Sequence, residues 1–160
     1  MTPVLLCIGL VVGISDGDTL KVRCPTIQSE PIKVRLAEID APEKKQPFGG
    51  HARQALADLV FQKTVEVHQV DTDRYGRVVA SLTTHNHPDV NFELVALGMA
   101  WCYPKYVRRA DECRHAESDA RAAKRGLWAE QQTPAAPWEW RKHQRSSTLR
   151  TDPAGPGAMR

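Results

Sequence analysis

From Val4 to Ser15 the chain is dominated by aliphatic and β-branched residues. Asp16-Gly17 then closes the run as a hairpin-type turn, before Thr19–Arg23 alternates inward and outward positions. Pro25 to Pro31 reads as a polar loop. In Ile32-Lys33-Val34-Arg35-Leu36 the three aliphatic residues share one face, which places Arg35 on the other. Pro42 to Gly50 bears Lys, Pro and Gly and is expected to be an exposed, mobile loop. From His51 the period changes. Ala52, Ala55, Leu56, Leu59 and Val60 follow i, i+3, i+4, i+7, i+8 and predict an amphipathic helix of about three turns. Thr64–Val70 and Val78–Leu82 are predicted strands on either side of Asp71–Arg77. Asn91 is placed as the cap of a short helix through Phe92, Leu94, Val95 and Leu97, stopped by Gly98. A last helix is predicted over Asp111–Lys124, with Cys113, Ala116, Ala120 and Ala123 facing inward and Gly126 as its stop. Leu127 and Trp128 then fold back as an anchor.

Beyond residue 130, Pro134, Pro137, Pro153 and Pro156 with Gly155 and Gly157 predict an extended or disordered tail. The chain therefore divides into a domain over 1–130 and a tail over 131–160. Five short strands, one helix after the third and helices at the end give an α+β, mainly β, reading. Its architecture is a five-stranded OB-type barrel with about three helices.

Bulk properties change this picture little. The 160 residues, 41% hydrophobic and 26% charged, suit one globular domain with a proper core. The net charge of +3 is unevenly placed: residues 1–133 carry 17 Lys/Arg against 17 Asp/Glu, and residues 134–160 carry 5 against 2. A basic tail suits a polyanionic partner, although such tails are more often solvated ends. No apolar run is long enough to span a bilayer, so no membrane role is expected. Pro3–Val12 superficially resembles a leader, but the first Lys is Lys21 and no small-residue cleavage site precedes Asp16. It is read as a core strand. Cys7, Cys24, Cys102 and Cys113 form no C-x-x-C pair, which argues against a zinc ribbon. A Cys7–Cys24 disulfide across the first hairpin is conceivable and would leave Cys102 to Cys113; four small buried thiols are the equal alternative.

Three short segments carry candidate chemistry: Asp16-Gly17-Asp18-Thr19, Asp40-Ala41-Pro42-Glu43 and Asp71-Thr72-Asp73-Arg74-Tyr75-Gly76-Arg77. The first two place carboxylates at turns that end apolar runs, where their mutual repulsion calls for a cation. The third supplies an arginine just past a turn. Oxygen ligands for a hard metal, a spare Glu and two fixed guanidiniums are what hydrolysis of a phosphodiester requires.

In this order and spacing the segments resemble the staphylococcal nuclease family over about Val11 to Trp128. Arg35–Glu43, Asp73–Arg77, Gly98-Met99-Ala100-Trp101 and Arg125-Gly126-Leu127-Trp128 carry the likeness. Pro137-Trp138-Glu139-Trp140-Arg141 resembles the bacterial branch. The resemblance implies Ca²⁺ held by Asp18, Asp40 and the backbone carbonyl of Ala41, which leaves room for water and a phosphate oxygen in a shell of six to eight. It implies that Glu43 positions or deprotonates the attacking water, and that Arg35 and Arg77 bind the scissile phosphate. Arg74 and Tyr75 match positions that contact nucleotide phosphate, sugar or base. Lys44 and Lys45 are candidates for phosphate steering, and either Tyr103 or Tyr106 for stacking on a base. The implied activity is Ca²⁺-dependent, little-selective cleavage of DNA and RNA by a monomer, leaving 3′-phosphates. Family habit suggests a secreted or periplasmic protein; the lack of a recognisable leader makes the cytoplasm the alternative.

The competing class is a non-catalytic nucleic-acid-binding OB module. Five groups, Asp18, Arg35, Asp40, Glu43 and Arg77, argue for the enzyme, because a pure binder has no use for them together. Asp16 is read as a turn-former, Asp71 and Asp73 as solvated acids, His85-Asn86-His87 as a loop, and Trp101 and Trp128 as core anchors.

Overall fold

The strand pattern of the first half of the chain closes on itself. The computed structural model describes residues 2–132 and 134–150. Its strands are β1 (Val4–Asp16), β2 (Thr19–Arg23), β3 (Ile32–Leu36), β4 (Ile39–Asp40), β5 (Thr64–Thr72), β6 (Val78–Thr83) and β7 (Trp101–Cys102). The helices are α1 (Gly49–Val60), α2 (Val90–Ala96), α3 (Ala110–Ala122) and α4 (Pro137–Arg150), with a 3₁₀ turn at Gly126–Ala129. Five strands form a closed barrel in the order β1-β2-β3-β6-β5, and β4 pairs with β7 in a separate two-stranded sheet.

All barrel neighbours are antiparallel except β3 and β6, which run parallel through Val34–Val78, Arg35–Val79 and Leu36–Ala80. A parallel pair needs a long crossover, and the stretch containing α1 and β5 supplies it. β1 closes the barrel: Val4–Leu10 pairs with β5 and Leu10–Asp16 with β2. Where its partners change, Gly9 lies so close to the Arg23 carbonyl and Val22 that a Cβ would collide with both. Period-2 residues from the barrel strands, Val11, Leu20, Val22, Val34, Val65, Val67 and Leu82 among them, are buried in one core with Leu56 and Val60 of α1 and Leu94 and Val95 of α2. A smaller cluster gathers Trp101, Ala120, Leu127 and Trp128, with Phe48, Ala136 and Trp138 packed against it. Trp101 and Trp128 are thus core anchors, as expected.

Several local expectations give way. The cap of α2 is Asp89, whose carboxylate accepts the Phe92 N–H at 3.0 Å. Asn91 instead lies inside the helix, fully buried. Its Oδ1 accepts the Leu82 N–H at 3.1 Å, and its amide donates to the carbonyls of Ala37 and Ala80 at 3.0 and 3.1 Å. The same polarity that suits Asn to a cap lets it pin α2 onto the barrel. Ala123, expected to face inward, is exposed, and α3 ends one residue before it at Ala122. The 42–50 loop is not wholly solvated: Pro42 and Gln46 are buried, and Gln46 Oε1 accepts the Glu43 N–H at 3.1 Å.

The largest difference is in the tail. Residues 137–150, expected to be extended or disordered, form α4, with Pro137 at its first residue, where a missing N–H costs nothing. Pro153, Gly155, Pro156 and Gly157 lie outside the described residues. Both cysteine pairs are bonded: Cys7–Cys24 links β1 to the end of β2, and Cys102–Cys113 links β7 to α3. Among the described residues no helix is long and apolar enough to cross a membrane.

Candidate active site

The turn between β1 and β2 is pressed flat against the body. A Cβ on Gly17 would strike the Cβ of Ala52 in α1 at 2.6 Å and that of Ala41 at 3.0 Å. This close approach seats Asp18 beside the segment that follows β4. Asp18 Oδ2 accepts the Ala41 N–H at 2.8 Å and Oδ1 accepts the Thr19 hydroxyl at 3.0 Å. Asp40 is held by β4, in register with Trp101 of β7, and its side chain is 1% exposed.

Arg35 projects from β3 opposite Thr19 of β2. One of its terminal nitrogens, Nη2, stands 3.2 Å from Asp40 and 3.4 Å from Asp18, so a single guanidinium bridges both acids. The other, Nη1, donates to the carbonyls of Leu36 and Ile39 at 2.6 and 2.9 Å. Glu43 lies beyond Pro42, with its side chain 39% exposed. A cleft of about 980 Å³ opens here, and Asp18, Arg35, Asp40, Ala41, Glu43 and Arg77 all line it.

Crowding of negative charge is the main electrostatic fact of the cleft. Burial, and then the Asp18 charge, push the Asp40 carboxyl up to about 6 although Arg141 and Arg35 both oppose the rise. Asp16, also on the cleft wall, is pushed up by burial and by the charges of Asp18 and Glu43. It therefore belongs to the acidic group electrostatically as well as to the turn.

Arg77 is fixed by a residue the sequence reading left to solvent. Asp73 Oδ1 accepts the N–H groups of Tyr75 and Arg77 at 2.9 and 3.0 Å, and Oδ2 accepts Arg77 Nε at 2.6 Å. Burial works against the Asp73 carboxylate, but these bonds from Arg77 and Tyr75 hold its pKa below the usual value. The Asp-x-x-x-Arg spacing was the available signal. Tyr75 is 67% exposed, with the guanidiniums of Arg74 and Arg77 lying 5.0 and 5.4 Å from its ring centroid.

The remaining candidates separate. Lys44 and Lys45 are exposed and do not contribute to the cleft wall, although Lys44 is near enough to Asp16 to oppose its upward shift. Tyr103 and Tyr106 both line the cleft and meet edge to face at 5.0 Å. Trp138 of α4 stacks on Tyr103 at 5.5 Å and 19°, so one face of Tyr103 is covered, whereas Tyr106 is 56% exposed. Arg141, one turn further along α4, reaches Asp40 at 2.6 Å and Glu43 at 3.1 Å. Neither Trp138 nor Arg141 was picked out as a site residue, since the proline-rich surroundings masked the helix. Glu38, also missed, is buried beneath the site and held by Arg109.

Comparison with known proteins shows what the chain as a whole is similar to. The model of staphylococcal nuclease homologues matches residues 33–130. A protein named micrococcal nuclease from Shigella flexneri is 39% identical over 149 residues, covering 88% of this chain and 83% of its own length. An uncharacterized endonuclease of Haemophilus influenzae is 44% identical over 135 residues, covering 84% and 73%. Protein ParB of Escherichia coli is 43% identical over 143 residues, covering 84% and 78%.

Proposed function

The chain belongs to the staphylococcal nuclease family, and from that membership and the cleft we propose that it hydrolyses phosphodiester bonds of DNA and RNA with Ca²⁺ as cofactor. The convergence of Asp18, Arg35, Asp40, Glu43 and Arg77 on one cleft is the observation that carries this reading. The acids also suit the cation. Among the described residues no three His, Cys, Asp or Glu side chains gather as a ready-made metal cage. The donors are oxygens only, the Asp18 and Asp40 carboxylates and the Ala41 carbonyl. Burial is the main cause of the raised Asp40 pKa and the neighbouring Asp18 charge adds to it, so a bound cation would favour both acids in their ionised form. A hard ion that completes its shell with water and a phosphate oxygen fits such a set. When bound, Ca²⁺ supplies charge neutralisation and polarisation of the phosphate.

The chain's own residues do the rest. Glu43, open to solvent on the cleft wall, accepts a proton from the attacking water, an effect typically worth ~10²–10⁴ in rate. Arg77, with its Nε tied to Asp73, presents its remaining N–H groups to the phosphate as charge grows on it. Arg35 meets the same phosphate from β3, and its bonds to Leu36 and Ile39 fix its direction. The new bond joins water oxygen to phosphorus, and the P–O5′ bond breaks. The 5′ oxygen then takes a proton and the phosphate stays on the 3′ side. Tyr106 and Tyr75, both well exposed, offer surfaces on which a base can stack. Incubation of the purified protein with plasmid and with RNA, in Ca²⁺ or in chelator, tests the reading. Cleavage in Ca²⁺ that stops in chelator is expected; no cleavage under any condition would return the chain to the class of binding modules.

A further inference from the structure

We infer that Arg141, carried into the cleft by α4, is a positioning residue that fixes the carboxylates of Asp40 and Glu43 relative to each other. This rests on the hydrolytic reading above and deepens it. Arg141 Nη1 donates to Asp40 Oδ1 at 3.3 Å and to Glu43 Oε1 at 3.1 Å. Nη2 donates to Asp40 Oδ2 at 2.6 Å and to the Tyr103 hydroxyl at 3.3 Å. The two terminal nitrogens carry four N–H groups, and four protein acceptors face them. The same guanidinium therefore reaches both acids at once, with the Tyr103 hydroxyl as its remaining partner. Asp40 sits on a short strand, and Glu43 lies in the loop beyond it. Arg141 ties the two together from outside that loop.

The arm that delivers Arg141 is built rather than loose. Trp138, Arg141 and Arg145 fall on one stripe of α4 at i, i+3, i+7, and all three line the cleft. Trp138 stacks on Tyr103 and meets Trp101 edge-on at 6.4 Å. Pro137 is buried, and Gln46 Nε2 donates to the Ala135 carbonyl at 2.6 Å. Aromatic packing and a hydrogen bond thus fasten the start of α4 to the body separately. Free arginines lose much rotamer entropy on being fixed; here the anchor bears part of that cost. The catalytic body therefore extends past residue 130, to at least residue 141.

The test uses the full chain and its R141Q, R141K and W138A variants. Three quantities are measured: kcat and KM on a defined oligonucleotide at saturating Ca²⁺, the thermal midpoint, and calorimetric titration with Ca²⁺ alone. R141Q is expected to lower kcat ~10–100-fold, the scale of a displaced reacting group, with KM and the midpoint near wild type. R141K, which keeps the charge and loses the fork, recovers part of kcat, and W138A loses kcat in the same direction. Calcium alone should bind R141Q about threefold or more tightly, because a cation competing for Asp40 has gone. Wild-type kcat in R141Q overturns the proposal. A raised kcat also overturns it, and would make α4 an inhibitory lid. Equal loss of stability and rate without rescue by Lys reduces Arg141 to a structural role. If R141Q does not fold, R141K and W138A carry the same comparison. A wild type that cuts nothing defeats the hydrolytic reading separately, and unchanged calcium affinity in R141Q still decides against Arg141.

Discussion

Arg109, the residue just before α3, closes on Glu38: its Nη2 and Nε donate to Oε2 at 2.7 and 3.0 Å, and its main-chain N–H donates to Oε1 at 2.8 Å. Glu38 is 3% exposed and holds a left-handed backbone at φ 70°. It occupies the short connection between β3, which carries Arg35, and β4, which carries Asp40. The pair therefore clamps the stretch of chain that sets the distance between these two site residues. Removing Arg109 leaves a buried charge without its partner, a loss of ~3–5 kcal/mol. R109A should show it as a lower urea midpoint.

Acid should weaken the same clamp. Burial acts to raise the Glu38 pKa, but the bonds from Arg109 and from the Arg108 N–H outweigh it and the net shift is downward. A carboxyl depressed in the folded state contributes its stability above its ordinary value of 4.5 and loses it as pH falls through the lowered folded value. Stability of E38Q should therefore fall less steeply than that of wild type below about pH 4.5. Parallel curves from unfolding measured at several pH values would show that Glu38 is not the group responsible.

Metal preference follows from the donors. Activity is expected with Ca²⁺ and little with Mg²⁺, because Mg²⁺ demands tighter octahedral geometry and releases water reluctantly. Cleavage assays in each ion alone, with a chelator control, read this directly. Full activity in excess chelator would remove Asp18 and Asp40 from any metal role.

Glu43 and the Arg77 turn should separate kinetically. Glu43→Gln keeps the shape and removes the proton acceptor, so the rate should drop ~10²–10⁴ while binding of calcium and DNA survives. R77K should lose ~10²–10³ with the fork. D73N should lose less, and D73N with R77K should cost little more than R77K alone, because Asp73 acts through Arg77. Additive losses in that double variant would detach Asp73 from the arginine.

The disulfides differ in what they support. Each closes a short loop, with 17 residues of separation in one and 11 in the other, and each should contribute ~2–4 kcal/mol. Cys102 also pairs with Ile39 in the strand that holds Asp40. C102S/C113S should thus reduce kcat as well as the thermal midpoint, whereas C7S/C24S should reduce the midpoint alone.

The barrel was legible because its signals are local. Two-residue alternation in β2 and β3, the aliphatic period of α1 and the turn at Asp16-Gly17 each bear on residues a few places apart. The five residues proposed for chemistry line one cleft because their motifs end strands whose partners the barrel brings together. What escaped were pairings between distant segments. Asn91 could not be told from a helix cap without knowing that the Ala37 and Ala80 carbonyls wait for it. Arg141 lies about a hundred residues from Asp40, 101 by number, in a segment whose prolines read as breakers, although Pro137 opens a helix. Asp73 looked like a solvated acid until its turn folded back on Arg77.

Because β1 has different partners along its length, the growing chain meets them at very different times. Its second half can pair with β2 almost at once. Its first half waits for β5, whose last residue is 56 positions beyond the end of β1. At ~5–20 residues per second of synthesis that is a delay of roughly 3–11 s. Until then Val4, Leu5, Ile8 and Leu10 belong to an apolar strand with an open edge, the kind that recruits other chains. Substitutions that favour aggregation should act on this open-edged state, lowering the yield of active protein without changing the stability of what has folded.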